Sequence, residues 1–123
     1  MLSFKNANKD KIRQILSKFS EEDSGIISSL IGKKGTPLYA EVDGSVIFRI
    51  VADNVNCAFT FPLGDGWQSV IAFLITYTRE YYLPIRFVGV KANDIPRLLT
   101  MFPNYSPEIT PSDSVPDTYD ISL

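Results

Sequence analysis

The sequence predicts an α+β fold in which helices cover a mixed β-sheet. Three observations carry that expectation. Apolar periodicity switches from helical to alternating near residue 38, an Asp43-Gly44 pair separates two alternating runs, and a long apolar helix sits between two further strands.

The elements follow in order. Asn6 or Asn8 is placed to cap a first helix, in which Ile12, Ile15, Leu16 and Phe19 fall at i, i+3, i+4 and i+7, and which ends near Ser20. Ser20-Glu21-Glu22-Asp23 then resembles a capping box for a second helix with Ile26, Ile27, Leu30 and Ile31 on one side. Gly32 and Gly35 mark its stop. Leu38, Ala40 and Val42 alternate with Tyr39 and Glu41. Asp43-Gly44 suits a type I′ turn, which needs positive φ at both central residues. Val46, Phe48 and Ile50 continue the alternation, and after an Asp53-Asn54 turn Cys57, Phe59 and Phe61 face one way. The strands 38–42, 46–51 and 56–61 therefore form an antiparallel meander.

A helix from about Gly66 to Tyr82 comes next, with Trp67, Val70, Ile71, Leu74, Thr78 and Tyr81 on one face. It stops before Pro84, and Ile85–Val90 is a short central strand that should lie parallel to the third strand of the meander, through a right-handed crossover. Asn93 is placed to cap a fourth helix carrying Ile95, Leu98, Leu99 and Phe102. A strand is expected around Tyr105 to Ile109. The expected order is α-α-β-β-β-α-β-α-β, with residues 1–110 forming the domain and residues 111–123 a Pro/Asp-rich extended tail.

Composition bounds the function. The 123-residue chain is 45% hydrophobic and 21% charged, which suits one globular domain with a core of its own. A net charge of −2 has the wrong sign for a general nucleic-acid binder. The basic first helix and the acidic segment after Pro103 are expected to be two solvated faces, with a functional polarity as the alternative. Cys57 is a single thiol, so no internal disulfide forms, which fits a reducing compartment; cytoplasmic location is expected. No apolar run approaches the length of a membrane span. The chain has no histidine, which excludes Ser-His and Cys-His nucleophile pairs and histidine metal sites. No metal site and no cofactor are expected.

The segment Phe61-Pro62-Leu63-Gly64-Asp65-Gly66, between strand and helix, is the one loop with the look of a ligand site. Amides at a helix N-terminus hold phosphates, and Gly64 and Gly66 supply the candidate cofactor-binding positions. Asp65 would set a carboxylate against a bound pyrophosphate, so turn and helix cap is the preferred reading of this loop. Glu41 and Arg49 are candidates for a cross-strand pair on a solvated sheet face. Tyr77, Tyr81 and Tyr82 are expected in core or interface positions, with a cleft wall as the alternative. Cys57 is expected as a small core residue, and Arg86 and Lys91 flank the central strand where an anion could meet its end.

Two resemblances add to this. The element order is similar to that of the GCN5-related N-acetyltransferases from their first helix onward, without their first strand. In those enzymes the loop before the main helix carries Gln or Arg, two residues, Gly, one residue, then Gly or Ala. Here Phe61 stands at the leading position, while Gly64 and Gly66 keep the spacing. The series Asp43-Gly44, Phe61-Pro62-Leu63-Gly64, Arg86-Phe87-Val88-Gly89-Val90, Met101-Phe102-Pro103 and Asp117-Thr118-Tyr119 also resembles a bacterial family of uncharacterised proteins. That family is related to the C-terminal domain of phosphatidylglycerol lysyltransferases. The resemblance spans about Lys9 to Tyr119 and matches the first half of a typical member.

It implies two acyltransferase-like domains in tandem, a fold whose best understood branch transfers aminoacyl groups from charged tRNA to lipid. The relatives' Gly-Lys-Lys and Lys-Arg-Asn segments would follow the Asp-x-Tyr region, and their aromatic-Trp pattern is missing between Leu30 and Tyr39, so no substrate-handling residue carries over. The expectation is a non-catalytic acyltransferase-like domain. A small coenzyme A-dependent N-acyltransferase and a protein-binding module are the alternatives. A homodimer or a second acyltransferase-like half is the expected partner, through a sheet edge or the Phe73, Tyr77 and Tyr81 side of the long helix.

Overall fold

The computed structural model describes residues 2–34, 36–51 and 57–123. Among them, four helices pack on a seven-stranded mixed sheet in the spatial order β1-β2-β3-β4-β5-β7-β6. The strands are β1 (Lys5–Asn6), β2 (Thr36–Val42), β3 (Ser45–Val51), β4 (Cys57–Phe59), β5 (Arg86–Lys91), β6 (Glu108–Pro111) and β7 (Thr118–Ser122). The helices are α1 (Lys9–Leu16), α2 (Glu21–Lys34), α3 (Trp67–Glu80) and α4 (Asp94–Leu99).

The meander forms as expected. Asp43 and Gly44 both take positive φ, 51° and 80°, and turn β2 onto β3 with Val42 opposite Ser45. β3 pairs antiparallel with β4, and α3 carries the chain across to β5, which runs parallel to β4. The expected Asp53-Asn54 turn, Asn56 and the Gly35 helix stop lie outside the described residues.

The local signals for helices hold with small shifts. Asn8 Oδ1 accepts the Lys11 amide at 2.8 Å, and Ser20 Oγ accepts that of Asp23 at 3.2 Å. α1 ends at Leu16, earlier than its stripe suggests, because Ser24 Oγ donates to the Leu16 carbonyl and two turn bonds close the chain over to α2. Asn93 begins α4 without a side-chain cap.

Two strands depart from expectation. β1 is a two-residue strand on β2, too short to show any periodicity. The segment 111–123, expected as an extended tail, instead contains β7, which inserts between β5 and β6 and pairs antiparallel with both. Val115, Thr118 and Ile121 are buried there, so this stretch belongs to the core. The expected strand around Tyr105–Ile109 lies a little later, as β6.

The sheet separates two apolar layers. On one face α3 and α4 pack against Ile47, Phe59, Phe87, Val90 and Ile121, with Val70, Ile71, Leu74 and Leu98 from the helices. On the other, α1 and α2 cover Val46, Phe48 and Leu63 and, further along, Ile50 and Val88. Leu30 is fully buried over Gly89. Among the described residues no helix is long and apolar enough to cross a membrane.

Candidate functional site

β4 and β5 share one paired position, Phe59 with Phe87. Beyond it the two chains part. Residues after Phe59 stay with β3, since the Thr60 amide donates to the Phe48 carbonyl and Leu63 exchanges two 2.9 Å backbone bonds with Val46. β5 instead continues along β7. The divergence of two parallel strands at their C-terminal ends is where open α/β sheets bind ligands, and it is flanked by the Phe61–Gly66 loop.

The loop is held tightly. Ser45, 1% exposed, sits under it at the start of β3. Its Oγ accepts the Gly66 amide at 2.7 Å, so the amide at the α3 N-terminus already has a partner. Gly64 has φ of 111°, and a Cβ there would stand 2.6 Å from Ser45 Oγ; one at Gly66 would stand 2.9 Å from it. The glycine spacing is therefore explained by close packing on Ser45. Turn and helix cap, the preferred reading of this loop, accounts for both residues. Phe61 is buried and packs on Trp67, while Asp65 is exposed.

The crevice between the strands is nearly filled. Its volume is about 20 Å³, room for one water. The first turns of α2 close it with Asp23, Ile26 and Ile27. Lys91 at the end of β5 reaches across to Asp23 at 2.9 Å and Glu22 at 3.0 Å. Burial disfavours the charged ammonium, but the hydrogen bonds to Asp23 and Glu22 win and hold Lys91 above the ordinary lysine range. Next to it Asp94, 8% exposed, accepts from Arg97 at 3.0 Å, and the Arg97 guanidinium lies 4.7 Å from the Trp67 ring centre and 5.7 Å from that of Phe61.

This arrangement can lock helices together, and it holds its cations on carboxylates and rings. Lys91, a candidate anion contact from its place beside the central strand, is spent on two acids. Arg86 begins β5 opposite Ser122, at the other end of the strand. Glu22, Asp23 and Ser45 carry no signal of this role in sequence, because their pairings join distant segments, while Asp94 and Arg97 form a local i, i+3 pair that only the fold brings beside Trp67 and Phe61. Among the described residues no group of His, Cys, Asp or Glu is placed to hold a metal ion.

Other candidates fall elsewhere. Glu41 and Arg49 are not cross-strand partners: Glu41 faces Val46 and Arg49 faces Leu38. Arg49 turns to the α3 layer, where Nη1 donates to Tyr77 Oη at 2.7 Å. Cys57 is buried. Tyr77 and Tyr81 line a cavity, whereas Tyr82 is 94% exposed.

No family model and no curated protein matches the chain. Among solved structures, the fold is similar to that of a conserved protein of unknown function from Bacteroides thetaiotaomicron VPI-5482, with a TM-score of 0.70 at 19% identity. The match covers 89% of this chain and 40% of that one, so the chain spans less than half the length of its structural neighbour. At this identity the likeness is one of fold alone.

Proposed function

We propose that this chain is a non-catalytic acyltransferase-like domain, the scaffold half of an aminoacyltransferase-like assembly. The observation that carries this reading is the filled crevice. Where β4 and β5 part, an acyl-transferring relative needs room for a thioester and free amides for a pyrophosphate. Here α2 and the Lys91 pairs occupy the gap, and Ser45 takes the Gly66 amide. The element order supports the kinship: with β1 added, it includes the first strand of the GCN5-related order.

The reading also includes a partner, either a second acyltransferase-like half or a second copy. Both sheet edges are blunt, β1 being two residues long and β6 ending in Pro111. The surface offered is the flank of α3, where Phe73 and Tyr81 are 39% and 59% exposed. Light scattering on a sizing column at about 100 μM, where a dimer of micromolar affinity is populated, reads the self-association arm directly.

Isothermal titration with acetyl-coenzyme A tests the main claim. The expected result is no binding at or below about 10 μM, equivalent to about −7 kcal/mol. Binding at that strength would favour a coenzyme A-dependent N-acyltransferase instead.

A further inference from the structure

At the other end of α3 lies a cavity of about 520 Å³, within the size range of small-molecule sites. Tyr77, eleven residues past Gly66, stands about 16 Å further along the helix than the crevice loop. The cavity is walled by the N-terminal segment through Leu2 and Phe4, by Leu38 from the sheet, and by Tyr81 and Leu83 from the end of α3 and the loop that follows. Phe4 holds its place by packing edge-on to Tyr77, 5.0 Å between ring centres, and against Phe59.

The polar side chains of the lining are Ser3, Arg49, Tyr77 and Tyr81, and none of them is a carboxylate. Arg49 projects from β3 into this layer. Its Nη1 donates to Tyr77 Oη, but its Nε is buried with no hydrogen-bond partner. No described carboxylate forms an ion pair with it. A half-buried guanidinium without a counter-charge, one of its nitrogens unpaired, carries a desolvation cost. Tyr77 Oη already accepts from Arg49, so its own proton is left for an acceptor, and no described residue receives it. Burial pushes the Tyr77 hydroxyl above the ordinary phenol range against the opposing pull of Arg49, so that proton stays on the oxygen at neutral pH. The Arg49 guanidinium and the Tyr77 hydroxyl thus lie side by side on the wall of a cavity of mixed polar and apolar lining, and what they lack is an anionic group that only accepts.

We infer that this cavity binds a small carboxylate with an apolar or aromatic body, its head on Arg49 and Tyr77 and its body against Phe4, Leu38 and Leu83. This is independent of the reading of the filled crevice, which concerns the opposite end of α3, although Tyr81 belongs both to this wall and to the proposed partner surface. A planar carboxylate suits the guanidinium edge, and the walls reward a ring or short chain more than a bare inorganic anion.

The test titrates 2-naphthoate, 2-naphthamide and inorganic phosphate separately into the full chain, followed by amide chemical shifts. 2-Naphthoate is expected to bind with a dissociation constant on the order of 1 mM or tighter, and about ten-fold or more tighter than the neutral amide. Its shifts should centre on residues 2–4, 49 and 77–83. Arg49→Gln should erase the preference for the acid, and Tyr77→Phe should reduce it several-fold. Should Arg49→Gln fail to fold, the acid–amide comparison in the unaltered chain decides alone. Equal binding of acid and amide, no binding of either, or phosphate binding as tightly as 2-naphthoate would overturn the inference.

Discussion

Gly89→Ala probes the contact that seats α2 on the sheet. Gly89 sits in β5 with φ of +65°, where the register to β7 shifts between Phe87 and Val90. Its amide donates to Asp120 Oδ1 at 3.3 Å, which ties the irregular strand to β7. A Cβ at this position would lie 2.7 Å from Leu30 Cδ1 and 3.2 Å from Ile26 Cγ2. Leu30 is fully buried, so its methyl has nowhere to retreat. The left-handed backbone costs a side-chain-bearing residue about 1–2 kcal/mol, and overpacking a close-packed site adds about 1–3 kcal/mol. A loss of about 3 kcal/mol is the expected outcome, a large part of the about 5–15 kcal/mol that stabilises a domain. At this chain length it corresponds to about 12 °C in Tm, taking about 4 °C per kcal/mol.

Urea unfolding followed by circular dichroism measures it, with Gly25→Ala as the control. Gly25 lies on α2 with open space around the position of its missing Cβ. There alanine should stabilise by about 0.5–1 kcal/mol through helix propensity alone. If Gly89→Ala changes stability by less than about 0.5 kcal/mol, or if both variants move it in the same direction, the account of how α2 is seated is wrong.

Three further outcomes are expected. Ser45→Ala should lower stability by about 1 kcal/mol, read by the same denaturation, because the partly buried Gly66 amide loses its acceptor. Lys91→Met should lower stability by about 1 kcal/mol at neutral pH, a figure kept small because the pairs are partly solvated. Since the folded chain holds Lys91 above the ordinary value of 10.5, that contribution is fully present below 10.5 and is lost as pH rises through the higher folded value. The gap between the two proteins should therefore close in alkali, and a gap constant with pH would contradict the pairing. Removing residues 112–123 deletes β7 and leaves β5 unpaired on that side, so the shortened chain should lose its cooperative thermal transition; a transition within a few degrees of the full chain would return this segment to the status of a tail.

Local chemistry explains how much was legible beforehand. A two-residue turn needing positive φ is written in Asp43-Gly44, and its register follows from the alternation on either side. A Ser or Asn oxygen three residues ahead of an amide announces α1 and α2. The parallel pairing of β4 and β5 follows because one helix between two buried strands leaves the chain little other route. The glycines at 64 and 66 were visible as a pattern, but their cause was not, since Ser45 lies about twenty residues upstream.

What the sequence determined by itself was thus whatever depends on neighbours within a turn or two: helix faces, the caps of α1 and α2, the hairpin and the α+β class. Only the tertiary structure decided the rest. β7 was hidden among Pro and Asp residues, because a strand paired on both sides takes its stability from its partners and not from its own propensities. Lys91 on Asp23 and Arg49 on Tyr77 unite residues far apart in the chain, and a charge's partner is chosen by whichever surfaces the packing of α2 and α3 brings against the sheet. Those two choices close one end of α3 and leave the other open, for the physical reason that a partly buried cation is met by whatever the fold places beside it: carboxylates at Lys91, a phenol at Arg49.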